Sequence, residues 1–185
     1  PAAAPSIGTA RADRLYERVL SEYGDDSVAQ LGGVHLACEG ASNLLTKVLE
    51  WGRLMAYLEQ STRYVPYNDR PGGRFRYHVP AELDDRPLRD RYVEVMDRAF
   101  ETYARWIDPM REYWTRRLPQ PAGESDTAYR MTIRAKALDS LRGLLPAATR
   151  SNVGIFGTAQ GYEALLLRMR AHPLREVRDY GALML

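Results

Sequence analysis

The chain has 185 residues, carries 26 basic and 24 acidic side chains, and has a formal net charge of +2. This length suits one compact domain with a substantial core, and the balanced charge argues against a general polyanion binder. The single cysteine, Cys38, allows no internal disulfide and no cysteine-based zinc site, and the three histidines lack metal-site spacing. The sequence has no membrane span and no signal peptide, which predicts a cytoplasmic protein.

The N-terminal part of the sequence predicts a loose lead-in, one helix and one short strand. Residues 1–10 are small and polar, whereas from Arg11 onward apolar residues recur on one helical face until Gly24, a typical helix stop. Residues 31–39 alternate between apolar and other side chains, which predicts a strand. The sequence therefore predicts that the lead-in precedes a single domain over residues 11–185, either alone or as part of a longer or duplicated protein.

The next segment predicts a helix, a loop and a second strand. Ser42 is a good N-cap for a helix whose apolar residues continue at helical spacing to Met55. Two prolines and two glycines make residues 64–73 a loop. Residues 74–79 then alternate, and Pro80 ends this strand because a proline lacks the N–H that a sheet requires.

The second half of the sequence has helical periodicity throughout. A long helix follows Asp85 and carries an apolar stripe that reaches Trp114. Residues 131–145 predict a further helix, and residues 155–169 predict a last helical stretch before Pro173 and a terminal helix. The sequence therefore predicts an α+β fold that is mostly helical, with a small sheet confined to the first half.

One stretch brings charged and hydroxyl side chains together within a few residues. It contains Arg53, Glu59, Ser61 and Arg63, at the end of the predicted helix. If the helix continues, Glu59 and Arg63 meet at i, i+4; if the chain is extended, Glu59, Ser61 and Arg63 share one face. A carboxylate, a hydroxyl and a guanidinium on one face can bind a phosphate and the donors of a base or sugar. A solvated surface with an ion pair is the alternative interpretation.

The same stretch resembles the signature of the flavin-dependent thymidylate synthases, which reads Arg-His-Arg, seven residues, and Ser within Glu-x-Ser-x-Arg-Tyr. Here the signature reads Trp51, Gly52 and Arg53, then seven residues and Ser61. Further similarities occur in the family's order at residues 24–30 (Gly-Asp-Asp-Ser-Val-Ala-Gln), 75–80 (Phe-Arg-Tyr-His-Val-Pro), 141–146 (Leu-Arg-Gly-Leu-Leu-Pro) and 167–178. The resemblance spans residues 11–180 and implies a fold like that of the thymidylate synthase complementing proteins.

The resemblance implies that the protein makes thymidylate (dTMP) from deoxyuridylate (dUMP). Members of this family take a methylene group from methylenetetrahydrofolate and use FAD, with NADPH, as the hydride carrier. They need no nucleophilic cysteine, and they are homotetramers whose active sites form where subunits meet. The expected partners are therefore a pyrimidine nucleotide and further copies of the chain or a second homologous domain, with neither nucleic acid nor a membrane.

The resemblance also assigns roles to individual residues. The positions that bind the nucleotide in this family are largely retained, and here they are Glu59, Gln60, Ser61, Thr62, Arg63, Arg142 and Arg168. Arg168 is the expected catalytic residue, because its counterpart helps to ionise N3 of the uracil, and a fixed guanidinium stabilises the anion as it develops. Contacts with the cofactor are expected at Ser27, Arg53 and Glu59.

The positions that hold the flavin in this family are largely replaced, by Asp25, Trp51, Gly52, Gly157, Ala159 and Glu163. Each hydrogen bond to a charged group is worth about 1.5–3 kcal/mol, so losing three weakens FAD binding on the order of a thousandfold. The alternative function is therefore a catalytically degenerate relative that binds a nucleotide, or serves as a structural half, without FAD. A third interpretation, an arginine-rich RNA-binding module, is disfavoured by the near-zero net charge.

Overall fold

A computed structural model describes residues 9–22, 28 and 30–185 of the chain. Within these residues the chain forms six α-helices and one antiparallel sheet of three strands, which confirms the predicted α+β class. The elements are α1 (Ala10–Glu22), β1 (Gly33–Ser42), α2 (Asn43–Leu49), β2 (Met55–Glu59), α3 (Arg86–Arg117), α4 (Asp126–Leu141), β3 (Arg150–Thr158), α5 (Ala159–Arg170) and α6 (Arg175–Leu183). The predicted helix stop at Gly24 lies outside the described residues.

The central strand of the sheet comes from the second half of the chain. The strand order is β1-β3-β2, and Ile155 of β3 pairs with Leu36 on one side and with Tyr57 on the other. The prediction of a sheet confined to the first half was therefore wrong, as was the helix predicted to include Ile155. In β3 the residues alternate strictly between buried and more exposed, and this period of two identifies a strand.

The helix after Ser42 is shorter than its apolar pattern predicts. Ser42 is the N-cap of α2, as predicted, and its hydroxyl accepts a hydrogen bond of 3.1 Å from the backbone N–H of Leu45. The helix ends at Leu49, and strand β2 begins at Met55, where the sequence predicted helix. Methionine, alanine, leucine and glutamate favour helices, but pairing with β3 outweighs this weak local preference.

Residues 74–79 are irregular and do not form the predicted strand. Their only sheet-like contact within the described part of the chain is an isolated antiparallel bridge between Tyr77 and Thr149. Phe75 and Tyr77 are nevertheless buried, so the alternation in the sequence reports a buried face. The prediction of a strand was wrong because alternation records burial and does not require a partner strand.

The helices of the second half match their predicted positions more closely. The side chain of Asp85 caps α3 by accepting a hydrogen bond of 2.8 Å from the N–H of Leu88. Helix α4 packs against α3 and ends at Leu141, and a short 3-10 turn, Arg142–Leu144, continues toward Pro146. None of the helices within the described ranges combines the length and apolarity that a bilayer crossing demands.

Candidate functional site

Two of the three predicted nucleotide-binding arginines meet on a shared carboxylate. Arg63 lies in the turn after β2, and Arg142 follows the last turn of α4. The Nε atom of each lies 3.2 Å from Oδ1 of Asp139, so one acidic group holds two guanidinium groups side by side. Both arginine side chains are about half exposed, at 51% and 52%, which leaves further donors for an anion. We call this group the Asp139 cluster.

The turn that carries Arg63 is fixed by its own backbone and by α4. The hydroxyl of Ser61 accepts a hydrogen bond of 3.3 Å from the N–H of Arg63, and the carbonyl of Ser61 accepts one of 3.1 Å from Tyr64. Arg134 of α4 donates to the carbonyl of Tyr64 at 3.1 Å. The predicted residues Ser61, Thr62 and Arg63 therefore form one compact turn next to the Asp139 cluster, and Thr62 is half-buried in it.

Glu59 and Gln60 have different surroundings from that turn. Glu59 ends β2, and Oε2 of Glu59 lies 3.3 Å from Nζ of Lys47. Gln60 continues the pairing with β3, since its N–H donates to the carbonyl of Asn152 and its Oε1 accepts from Nδ2 of Asn152, both at 2.9 Å. The helical i, i+4 pair of Glu59 with Arg63 is therefore wrong, and the extended alternative holds only as far as Gln60.

Arg53 and Arg168 line one cavity of about 550 Å³, away from the Asp139 cluster. The guanidinium carbon of Arg168 lies 5.4 Å from the ring centroid of Trp51, which is a cation–π contact. The N-terminus of α5 opens into this cavity, where the hydroxyl of the N-cap Thr158 accepts from the N–H of Gly161 at 3.2 Å. Two guanidinium groups and a helix N-terminus favour an anionic ligand. We call this space the Arg168 cavity.

Among the described residues of the Arg168 cavity, Trp51 and Gly52 stand where the resembled family holds flavin with arginine and histidine, whereas Arg53 is retained. Met55 fills the space into which side chains at Gly157 and Gly52 would project. A Cβ at Gly157 would lie 3.0 Å from Cγ of Met55, and a Cβ at Gly52 would lie 3.1 Å from Sδ of Met55. Ala159 at the start of α5 has no polar side chain, and Glu163 lines a separate apolar groove. Of the family's expected donors to the pyrophosphate of FAD, the described residues therefore retain Arg53 but not those replaced by Trp51, Gly52, Gly157 and Ala159, so the described part of the site fits FAD poorly.

Cys38 adds no reactive thiolate to the Asp139 cluster or to the Arg168 cavity. Cys38 is buried in the sheet, and burial raises the pKa of its thiol, which keeps the sulfur protonated. Across the described ranges no three acidic, histidine or cysteine side chains come together as metal ligands. Ser27, a predicted cofactor contact, and Asp25 lie outside the described residues. In the Asp139 cluster and in the Arg168 cavity, the charged groups suited to binding an anion are therefore arginines.

The family of the chain follows from a comparison of its sequence with family models. A model described as thymidylate synthase complementing protein matches residues 2–185, which is nearly the whole chain. The chain belongs to the thymidylate synthase complementing protein family. This membership confirms the family resemblance noted at the signature stretch.

Relatives in this family differ in length and in name. UPF0159 proteins of Chlamydia muridarum and Chlamydia pneumoniae are 41% and 40% identical, over 95% and 92% of this chain but only 33% and 32% of their own length. A flavin-dependent thymidylate synthase of Clostridium tetani is 26% identical over 136 residues, which is 73% of this chain and 49% of that protein. The chain thus spans about a third of the length of the Chlamydia relatives it matches.

A solved structure has the same fold as this chain. Thymidylate synthase X of Helicobacter pylori, crystallised with FAD and dUMP, matches with a TM-score of 0.61 at 13% identity. The match covers 94% of this chain and 76% of that chain. At this identity the likeness concerns the fold.

Three residues that organise these sites were missed by sequence reasoning. Asp139 lies three residues before Arg142, so i, i+3 spacing on α4 was a usable signal. Met55 and Asn152 gave no comparable signal, because their partners are distant in sequence: Gly157 and Gly161 for Met55, and Gly40 and Gln60 for Asn152. Their roles depend on how the strands pair.

Proposed function

We propose that this domain binds a pyrimidine deoxynucleoside monophosphate, dUMP, at a site completed by a second copy of the chain or by a homologous domain. The proposal rests on one observation: the arginines predicted to bind the nucleotide lie in two separate places. Arg63 and Arg142 share Asp139, whereas Arg168 lines a different cavity with Arg53. A single ligand that contacts all of these arginines therefore requires two surfaces brought together.

The Asp139 cluster and the Arg168 cavity each suit a different group of dUMP. The Asp139 cluster presents two guanidinium groups against one carboxylate, and its excess positive charge and fork-shaped donors suit a phosphate. In the Arg168 cavity, stacking on Trp51 fixes the direction of the Arg168 guanidinium. A guanidinium fixed in this way stabilises negative charge as N3 of a uracil loses its proton, without reorganising at that moment.

The proposal is tested by titrating dUMP into the purified chain and measuring heat and the melting temperature. Changing Arg142 or Arg168 to glutamine should each weaken dUMP binding by about tenfold or more, because each removes a charge-assisted hydrogen bond. The matched control is Arg105→Gln, which removes an exposed arginine of α3 far from both clusters in sequence. Unchanged binding in the Arg168 variant removes Arg168 from the site.

Mixing variants tests the shared site directly. If Arg142 and Arg168 act from different copies, refolding the two variants together restores about a quarter of the sites, since half of the random pairs are mixed and each contains one intact site. A mixture of Arg63→Gln and Arg142→Gln is the control, because these arginines share Asp139 in one copy and should restore nothing. Failure of the first mixture to recover any binding contradicts the shared site.

The second candidate function is FAD-dependent synthesis of thymidylate by this chain. It is supported by the Helicobacter pylori neighbour with FAD and dUMP and by the Clostridium tetani relative. The side chains of the Arg168 cavity favour binding without FAD, so the purified chain should be colourless. Stoichiometric flavin absorbance would select this second function. The use of NADPH and methylenetetrahydrofolate, tetrameric assembly and a cytoplasmic location remain predictions.

A further inference from the structure

A further arginine-rich cavity lies next to Gln60, the residue that follows β2. It has a volume of about 520 Å³ and lies where β1, β3 and residues 71–79 meet the first turn of α3. Its charged lining consists of four arginines, Arg74, Arg76, Arg89 and Arg150. Neither Asp nor Glu lines it among the described residues. We call it the Arg150 cavity.

The arginines of the Arg150 cavity are held by ordered backbone. The N–H of Arg150 donates to the carbonyl of Arg76 at 2.8 Å, next to the bridge between Tyr77 and Thr149. Arg89 lies in the first turn of α3, where its N–H donates to the carbonyl of Asp85 at 2.9 Å. Three separate segments with hydrogen-bonded backbone therefore carry the arginines that line this one space.

Polar groups of the sheet form one wall of the Arg150 cavity. A bulge in β1 places Gly40 at a φ of +69°, which an L side chain rarely adopts, and its N–H donates to Oδ1 of Asn152 at 2.8 Å. Asn152 in turn donates to Gln60 at 2.9 Å. This wall is separate from the Asp139 cluster, because Arg63, Asp139 and Arg142 do not line the Arg150 cavity.

The charge of the Arg150 cavity is mostly uncompensated. Arg76 forms an ion pair with Asp69, but Arg74, Arg89 and Arg150 have no ion pair with any described residue. By contrast, Arg63 and Arg142 share a carboxylate. Guanidinium groups gathered in a concave space repel one another and raise the local concentration of anions.

We infer that the Arg150 cavity binds a small ligand with two or more linked phosphates. The forked donors of arginine match phosphate oxygens, and three unpaired guanidinium groups balance a diphosphate or triphosphate better than a single phosphate. The volume of about 520 Å³ lies within the usual range of small-molecule sites. This site is additional to the proposed dUMP site and shares none of the arginines assigned to it.

The probe for this inference is inorganic tripolyphosphate, titrated by calorimetry at low salt into the same preparation used for dUMP. Arg89→Gln and the double variant with Arg74→Gln and Arg150→Gln should each weaken tripolyphosphate binding by about tenfold or more. Arg91→Gln is the matched control, because Arg91 is an exposed arginine two residues along α3 that does not line the cavity. All of these variants should leave dUMP binding unchanged.

Several outcomes would overturn the inference. Equal weakening by Arg89→Gln and Arg91→Gln would mean that net charge, and not the cavity, attracts the anion. Triglutamate binding as tightly as tripolyphosphate would replace phosphate with carboxylate as the recognised group. Tighter binding of a single-stranded oligonucleotide, with a steep dependence on salt, would make this face a nucleic-acid surface. No binding of tripolyphosphate by the unmodified chain would remove the site, and dUMP binding would still test the proposed function separately.

Discussion

The two hydrophobic clusters of this domain are built from different kinds of side chain. The aliphatic cluster lies between the sheet and helices α2, α5 and α6 and contains Cys38, Ala41, Leu45, Leu49, Val153, Ile155, Leu165, Met169 and Val177. The aromatic cluster lies between α3, α4 and the segment 65–79 and contains Tyr67, Phe75, Tyr77, Phe100, Tyr103, Leu138 and Leu141. The difference matches the backbone that each cluster supports: regular strands in the first and an irregular segment in the second.

The irregular segment is held by aromatic side chains with polar tips. The hydroxyl of Tyr77 donates to Oδ1 of Asp97, and the hydroxyl of Tyr92 donates to the carbonyl of His78, both at 2.9 Å. The rings of Phe75 and Phe100 stack with their centroids 5.3 Å apart. Burial and hydroxyl hydrogen bonds thus replace a strand ladder, and they position the segment that carries Arg74 and Arg76.

One buried carboxylate links the two clusters. Glu176 of α6 accepts hydrogen bonds from the hydroxyl of Ser42 at 2.6 Å and from the N–H of Ser42 at 2.9 Å. On its other side, Nδ1 of His78 lies 3.5 Å from Oε1 of Glu176. The N-cap of α2 in the aliphatic half therefore contacts, through Glu176, the segment that the aromatic half supports.

The largest expected effect comes from opening the aromatic cluster. Phe100→Ala removes a fully buried ring that contacts both Phe75 and Tyr77, and it should lower the free energy of unfolding by about 3–5 kcal/mol. Urea unfolding measures this loss. Trp106→Ala on the same helix is the control, because Trp106 is 47% exposed, and it should cost about 1 kcal/mol or less. Equal losses would mean that the aromatic cluster is not a packed core.

The link between the clusters gives the next largest effect. Ser42→Ala removes both a helix cap and a hydrogen bond to the buried carboxylate of Glu176, so it should cost about 2–4 kcal/mol. The matched control is Ser125→Ala, which removes the same kind of cap from α4 without a carboxylate partner and should cost about 1 kcal/mol. Urea unfolding compares the two, and a Ser42 loss no larger than the Ser125 loss would show that Glu176 adds nothing.

The smallest effect concerns one hydroxyl and depends on pH. Burial, with a contribution from Asp97, raises the pKa of Tyr77 to about 12 from the ordinary value of 10.0. The folded state therefore favours the protonated phenol, and the stability this supplies is fully present below pH 10 and is lost as pH rises toward 12. Tyr77→Phe should cost about 1 kcal/mol at neutral pH.

The measurement for Tyr77 is unfolding by urea at a series of pH values. The difference between the unmodified chain and Tyr77→Phe should shrink between pH 10 and pH 12, since only the unmodified chain carries this titrating phenol. A difference that stays constant over this range would show that the Tyr77 hydroxyl titrates alike in the folded and unfolded states.

Features that depend on short-range sequence were predicted well. The cap at Ser42 is confirmed, α3 begins directly after Asp85 as the apolar spacing predicted, and α4 overlaps most of the helix predicted over residues 131–145. These features need only neighbours within a few residues, because a cap contacts the third residue after it and a helical stripe repeats every three to four residues. The buried face at Phe75 and Tyr77 was likewise visible as an alternation.

Features that depend on strand pairing were not predicted. Residues 55–59 read as helix because their side chains favour helices, and residues 155–158 were joined to the helix that follows them. Both segments are strands because each meets a partner about 100 residues away in sequence, which no local pattern reports. Because of this error, Met55 and Gln60 were predicted on or at the end of a helix, whereas Met55 begins β2 and Gln60 follows the last residue of β2.

The sequence by itself determined the family and the helical majority, and it predicted which arginines stand at the family's nucleotide positions. Only the tertiary structure decided which arginines meet: Arg63 with Arg142 at Asp139, Arg53 with Arg168, and four others in the Arg150 cavity. Residue type and spacing fix what a side chain can bind, whereas long-range pairing of the three strands fixes which side chains share a space.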